Sequence, residues 1–385
     1  MQVSREKATR TAVTLGAAVL LSATAVATAT ADSRSHGKTR EALNEIVRGG
    51  TPGVIAQVTS GRHVWNAHEG VAVIGGRERR ANERFRVASL TKPFTATVLL
   101  QMEAEKELSL DDSVEKWLPG VVRGNGYDGR RITVRQLLNH TSGIFNYNDD
   151  KSFLAKFSGD AFLKHRFDGA TPEELVRTAL ANPPVFRPPG APGRWAYSDT
   201  NYILAGMIIE RVSGGSYAHE VERRIVRPLN LRSTSVPGRT AALPGRHARH
   251  YSTLGGGKVH DVTEFDPSVA GSAGQIISTA GDLNRFFRAL MRGWLLPPSQ
   301  RGKMLDTVPV EGADGHGGGN DRYGLGLRKF KLSCGWVWGH GGMLPGSLSR
   351  VAASRDGRHV LTLNRNADWG DQALEDRTVE AEFCS

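Results

Sequence analysis

The strongest constraint in this chain is where its strand-like runs fall, at the two ends with a long helical stretch between them. Near the N-terminus, residues 53–59 (GVIAQVT) and 63–73 (HVWNAHEGVAV) are strand-like. Near the C-terminus, YGLGLRKFKL, GWVWGH, SLSRVAAS and HVLTLNR follow one another with the same character. Between them, VLLQMEAEKEL, VRQLLNH, PEELVRTAL and YILAGMIIERV have helical spacing and are separated by Gly/Pro loops such as RPPGAPGR. Residues 40–48, ending at Gly49-Gly50, DLNRFFRALM and a closing segment that includes 374–383 are further helices. The expected fold is α+β: one antiparallel sheet built from both ends of the chain and flanked by helices, plus an all-helical lobe. About 350 residues exceed what one core usually covers. Two joined lobes are therefore expected, a discontinuous α/β lobe from 32–88 and 255–385 and a mostly helical lobe from 89–254.

The first residues carry Arg5, Lys7 and Arg10, then an apolar run and Ala29-Thr30-Ala31. This reads as a signal peptide over 1–31 with an A-x-A cleavage site, so the mature protein is expected to be secreted, loosely associated with the cell wall at most. No later apolar run is long enough to span a bilayer, so no integral membrane segment is expected after cleavage. Removing 1–31 takes away three positive charges and one negative, leaving +9 of the +11. The excess arginines are scattered rather than clustered with aromatics, which argues against nucleic-acid binding. The only two cysteines, Cys334 and Cys384, follow the signal in a chain bound for an oxidising compartment and are expected to form one disulfide.

Beyond residue 31, Ser-x-x-Lys occurs three times, at Ser35/Lys38, Ser89/Lys92 and Ser113/Lys116. Context separates the copies. The first lies in a polar Gly/His segment with no apolar helix apparent after it, and the second of the flanking copies, Ser113, looks like an ordinary helix cap with a solvated lysine. Ser89 instead lies within residues 86–100 (RVASLTKPFTATVLL), where it is expected to cap an apolar helix and Lys92 shares its face. A buried, unpaired ammonium is costly, so Lys92 either pairs with an acid or loses its proton and becomes a general base beside Ser89. No Gly-x-Ser-x-Gly occurs, which disfavours an α/β-hydrolase. His247 and His250 lack a third acidic ligand, so neither a metal nor another cofactor is expected.

Two further pieces follow in order: Tyr197-Ser198-Asp199 before YILAGMIIERV, and His340-Gly341-Gly342 after GWVW. With Asn139-His140-Thr141-Ser142-Gly143, residues 323–328 (YGLGLR), 332–335 (LSCG) and 382–384 (EFC), this pattern resembles the class C β-lactamase-like, penicillin-binding serine hydrolases. Within them it is most similar to secreted serine DD-carboxypeptidases. The resemblance implies a β-lactamase/transpeptidase-like fold and a Ser89 acyl-enzyme, with Lys92 and Tyr197 passing the proton and His340 supporting Tyr197 or a substrate carboxylate. Which of Lys92 and Tyr197 is the base stays open. Arg328 inherits the role of binding the substrate's terminal carboxylate, and Cys334 and Cys384 fall at that subgroup's disulfide positions. Gly342 belongs to the substrate-lining strand, and the amide of Met343 joins that of Ser89 as oxyanion donor.

Two departures bear on substrate. Asp199 stands where the pattern has Asn, offers no amide donor and raises the Lys92 pKa by its charge. Gly341 and Met343 stand where the carboxypeptidases carry hydroxyl side chains. The resemblance thus implies an exported serine D-Ala-D-Ala carboxypeptidase acting on cell-wall peptides. The alternatives are an esterase or β-lactamase of the same fold, or a non-hydrolytic penicillin- or muropeptide-binding protein. Partners are accordingly a cell-wall peptide or a β-lactam, and the sequence leaves the oligomeric state undefined.

Overall fold

The computed structural model describes residues 1–2, 36–186, 193–310 and 321–384. The signal reading at 3–31, Ser35 and the glycine-rich 311–320 lie outside the described residues. The sheet has eight strands: β1 (Gly53–Ser60), β2 (His63–Gly70), β3 (Val308–Pro309), β4 (Arg322–Tyr323), β5 (Arg328–Leu332), β6 (Gly335–Leu344), β7 (Ser347–Ala353) and β8 (His359–Arg365). Their spatial order is β2-β1-β8-β7-β6-β5-β4-β3. Every pairing is antiparallel, and β1 meets β8 in register from Val54↔Arg365 to Ser60↔His359. The two ends of the chain therefore close one sheet, as the strand pattern requires.

Helices cover both faces. On one side, α1 (Gly37–Arg48) and the closing helix Ala373–Phe383 share a core with the sheet, in which Leu43, Ile46, Val54, Leu363 and Val379 are buried together. Cys334 in the β5–β6 turn is bonded to Cys384 at the end of the closing helix. On the other side lie α2 (Thr91–Ala104), α3 (Asp199–Ser213) and α4 (Ala280–Met291), all in the larger core. Most of α2 is buried around its whole circumference, and Phe94 stacks on Phe286 of α4 with centroids 3.7 Å apart. A helix apolar on every side belongs in a core, which is where α2 sits.

Local expectations are revised at three places. α1 begins at Gly37 rather than at residue 40, so an amphipathic helix does follow Lys38; Thr39, Leu43 and Ile46 face inward and Lys38 stays exposed. Ser89 is not a helix cap: it lies in a 3-10 turn, Ala88–Leu90, and α2 starts at Thr91 with no side-chain cap. The run YGLGLRKFKL is not one strand, because Gly324-Leu325-Gly326 leaves the ladder and approaches α2. Gly326 has φ 76°, and a Cβ there would lie 2.7 Å from that of Ala96. Ser113 does cap a short helix, accepting from the Lys116 amide, while Lys116 pairs with Asp112 at an exposed site.

The disulfide ties the closing helix to the end of β6 remote from the nucleophile. Cys334→Ser/Cys384→Ser is expected to lower unfolding stability by about 2–4 kcal/mol in denaturant titration and to leave covalent labelling of Ser89 unchanged.

Candidate active site

Residues 85–86 pair with 277–278, and the chain then turns abruptly at Ala88, a non-glycine residue at φ 53°. Such a left-handed residue costs about 1–3 kcal/mol and survives only where its surroundings impose it. Here the imposing element is β6. A Cβ on Gly342 would overlap the Val87 carbonyl oxygen and lie 3.1 Å from both the Ala88 Cβ and the Ser89 nitrogen. Glycine at 342 thus lets the strand run against the nucleophile's own backbone. The next residue, Met343, lines the cleft together with Ser89.

Ser89 Oγ lies 2.9 Å from Lys92 Nζ and 3.0 Å from the Tyr197 hydroxyl. Lys92 is fully buried, and its amine has two other partners, the Ala273 carbonyl at 3.0 Å and Asp199 Oδ1 at 2.5 Å. Burial favours the neutral amine and Asp199 favours the ammonium; burial is the larger influence, so the Lys92 pKa lies below the ordinary lysine value. A neutral amine has two N–H bonds and one lone pair. With the N–H groups given to Ala273 and Asp199, the lone pair is left for the Ser89 hydroxyl. Asp199 is held in turn by Asn148, whose Nδ2 donates to Oδ2 at 2.5 Å. Burial, reinforced by Asp199, lifts the Tyr197 phenol well above its usual range, so it remains a proton donor.

His340 and Arg328 are placed differently from expectation. The imidazole of His340 is buried and its nitrogens contact the Tyr323 hydroxyl at 2.9 Å and the Gly341 carbonyl at 2.5 Å; its ring centroid lies 6.4 Å from that of Tyr197. Its polar support therefore goes to Tyr323 rather than to Tyr197, and burial keeps it neutral. Arg328 is 1 % exposed, 3.8 Å from Asp321, with its pKa lowered by burial to about 10. It lines neither the apolar pocket nor the wider cleft beside Ser89, and its charge acts on Tyr197 and His340 from within the protein.

Three features escaped the sequence reading. Asn148 sits in a polar run with no motif around it. Tyr323 belongs to a recognisable string, but only the fold brings it to His340. An apolar pocket opens beside Ser89, walled by Tyr147, Phe153, Phe157, Phe162, Phe265 and Val269. These residues come from separate segments, and no one-dimensional spacing reveals that they converge. The wider cleft carries Asp149, Asp199 and Asp368 on its walls, with no lysine or arginine lining it among the described residues.

A serine, a buried lysine and a tyrosine meeting on one hydroxyl across a helix–sheet junction define a serine hydrolase of the penicillin-recognising type. The beta-lactamase family model matches residues 28–383, and the chain belongs to that family. Among solved structures it resembles a D-stereospecific amidohydrolase from Streptomyces sp., at 51 % identity and TM-score 0.84 over 91 % of this chain and 98 % of that one. It also resembles the D-amino acid amidase of Ochrobactrum anthropi SV3 complexed with D-phenylalanine, at 27 % identity and TM-score 0.78 over 92 % and 100 % of the two chains. Penicillin-binding protein 4 of Amycolatopsis lactamdurans is 30 % identical over 220 residues, 56 % of this chain and 53 % of that protein. The chain spans less than two thirds of the length of such curated relatives.

If Gly342 is what lets β6 reach the nucleophile, Gly342→Ala should lower the rate of covalent labelling of Ser89 at least about tenfold while the protein stays folded. Labelling followed by intact mass, beside a thermal melt, measures both.

Proposed function

We propose that this protein is an exported hydrolase that cleaves amides or esters of D-configured amino acids bearing a free ammonium and a large apolar side chain. One observation carries the reading: the walls around Ser89 combine an aromatic pocket with carboxylates and, among the described residues, present no cation to the ligand. A free ammonium suits such walls. Burial and the charge of Asp199 already raise the Asp149 pKa, so an incoming cation relieves an unfavourable carboxylate. A C-terminal carboxylate, the hallmark of a D-Ala-D-Ala substrate, meets the opposite field, with Arg328 buried and not lining the cleft. The D-configuration is supported by the likeness to the D-stereospecific amidohydrolase and the D-amino acid amidase.

The reaction follows from the contacts. Lys92 takes the Ser89 proton as Oγ attacks the carbonyl carbon, and Asp199 stabilises the ammonium that forms. The amides of Ser89 and Met343 receive the oxyanion. Tyr197 donates its proton to the leaving nitrogen or oxygen, giving an acyl-serine ester and a free amine or alcohol. Water then attacks the ester, the proton transfers run in reverse, and the acid leaves.

The test compares D-phenylalanine amide, its N-acetyl derivative, L-phenylalanine amide and a diacetyl-Lys-D-Ala-D-Ala peptide. Ammonia release from D-phenylalanine amide is expected, with kcat/KM lower by at least about tenfold on N-acetylation, about 1.4 kcal/mol. Faster release of D-alanine from the peptide than of ammonia from the amide contradicts this reading and restores the carboxypeptidase. Absence of turnover and of any Ser89 adduct leaves a binding protein.

A further inference from the structure

The segment 139–143 (NHTSG) takes no part in the chemistry described above, yet its imidazole lies beneath Tyr197. His140 is fully buried and adopts φ 62°, a left-handed conformation that histidine, asparagine and aspartate reach more readily than most residues. That turn sends two acceptors toward the same stretch of chain. The His140 carbonyl accepts the Ala196 N–H at 3.0 Å, and its Nδ1 accepts the Ser198 N–H at 3.2 Å. The peptide amides on either side of Tyr197 thus both end on one residue. A third donor, Asn201 Nδ2, reaches the same Nδ1 at 3.2 Å, and its amide is oriented by Ser142, whose hydroxyl donates to Asn201 Oδ1 at 2.6 Å.

We propose that His140 is the positioning residue for Tyr197: its carbonyl and Nδ1 grip the chain on both sides of the tyrosine, and its ring backs the phenol. The centroids of the two rings are 4.3 Å apart with 33° between their planes. The grip holds the phenol hydroxyl 3.0 Å from Ser89 Oγ. Because Nδ1 accepts, the proton resides on Nε2. That nitrogen is buried without a hydrogen-bond partner among the described residues, and the ring meets Tyr323 edge-on at 4.8 Å and 70°. A protonated imidazole would carry a hydrogen on Nδ1 and release Ser198. Burial, with the nearby charge of Arg328, keeps His140 neutral and the grip intact.

The inference rests on the reading of Tyr197 as proton donor, and the variants separate the two. Tyr197→Phe tests that reading alone: acylation at the wild-type rate in it overturns the proton-donor role of Tyr197 and leaves the geometry of His140 untouched. For the grip, the acylation rate, KM and melting temperature are measured for wild type, His140→Ala, His140→Asn, Tyr197→Phe and His140→Ala/Tyr197→Phe. Asparagine tolerates the left-handed turn and places Oδ1 near the position of Nδ1. His140→Ala is expected to slow acylation at least about tenfold with KM changed less than about threefold, His140→Asn to recover most of that loss, and His140→Ala to add less than about threefold in the Tyr197→Phe background. Wild-type acylation in His140→Ala, equal slowing in the Ala and Asn variants at equal stability, or a full tenfold loss on top of Tyr197→Phe overturns the proposal. Should His140→Ala fail to fold, His140→Asn decides: acylation within about threefold of wild type supports the grip, and a tenfold loss overturns it.

Discussion

A lysine amine buried under a serine hydroxyl is the constraint around which the rest of this structure is arranged. An ammonium in a protein interior is unstable unless something compensates it, and a neutral amine there is a base. Asp199 and the Ala273 carbonyl give Lys92 two places to direct N–H bonds, and Ser89 occupies the third direction. Keeping that arrangement dry requires a helix buried on all sides, which α2 is, and a second helix, α3, whose first residue delivers the carboxylate. The sheet closes the remaining side through β6, whose Gly342 lies against the serine's backbone.

Topology and chemistry are linked by that strand. β6 is central in a sheet closed by the pairing of β1 with β8, so its position depends on residues from both ends of the chain. The disulfide and the two helices packed behind the sheet hold this frame at the far end of β6. The strain at Ala88 is then understandable as the local consequence of bringing a strand and a helix start together at one serine.

Much of this was legible in the sequence, because period and motif order depend on the residues themselves. The alternating runs near both termini implied one sheet, and the Ser89, Lys92 and Tyr197 motifs converge on a single oxygen. The legible part ended where three-dimensional convergence begins. Nothing in one dimension distinguishes a cleft arginine from the buried Arg328, or tells that the partner of His340 is Tyr323. The Ser89 turn was misread as a cap because Ser before an apolar run normally caps, whereas the left-handed Ala88 moves the helix start to Thr91. Asp199 was read correctly as a charge that favours the ammonium, but the sequence does not reveal that burial outweighs it. Tyr197 and Lys92, left open as alternative bases, separate only when burial is known for both.

The central claim is that Lys92 is the base because its surroundings favour the neutral amine. The direct measurement is an NMR titration of the Lys92 side chain in the folded protein, with Asp199→Asn as a paired variant. The account predicts a midpoint below the ordinary lysine value, about 10.4, and a still lower one in Asp199→Asn, where the carboxylate no longer favours the ammonium. A midpoint at or above the ordinary value would contradict it, because Lys92 would then be a permanent ammonium paired with Asp199 and the proton of Ser89 would have to leave by way of Tyr197.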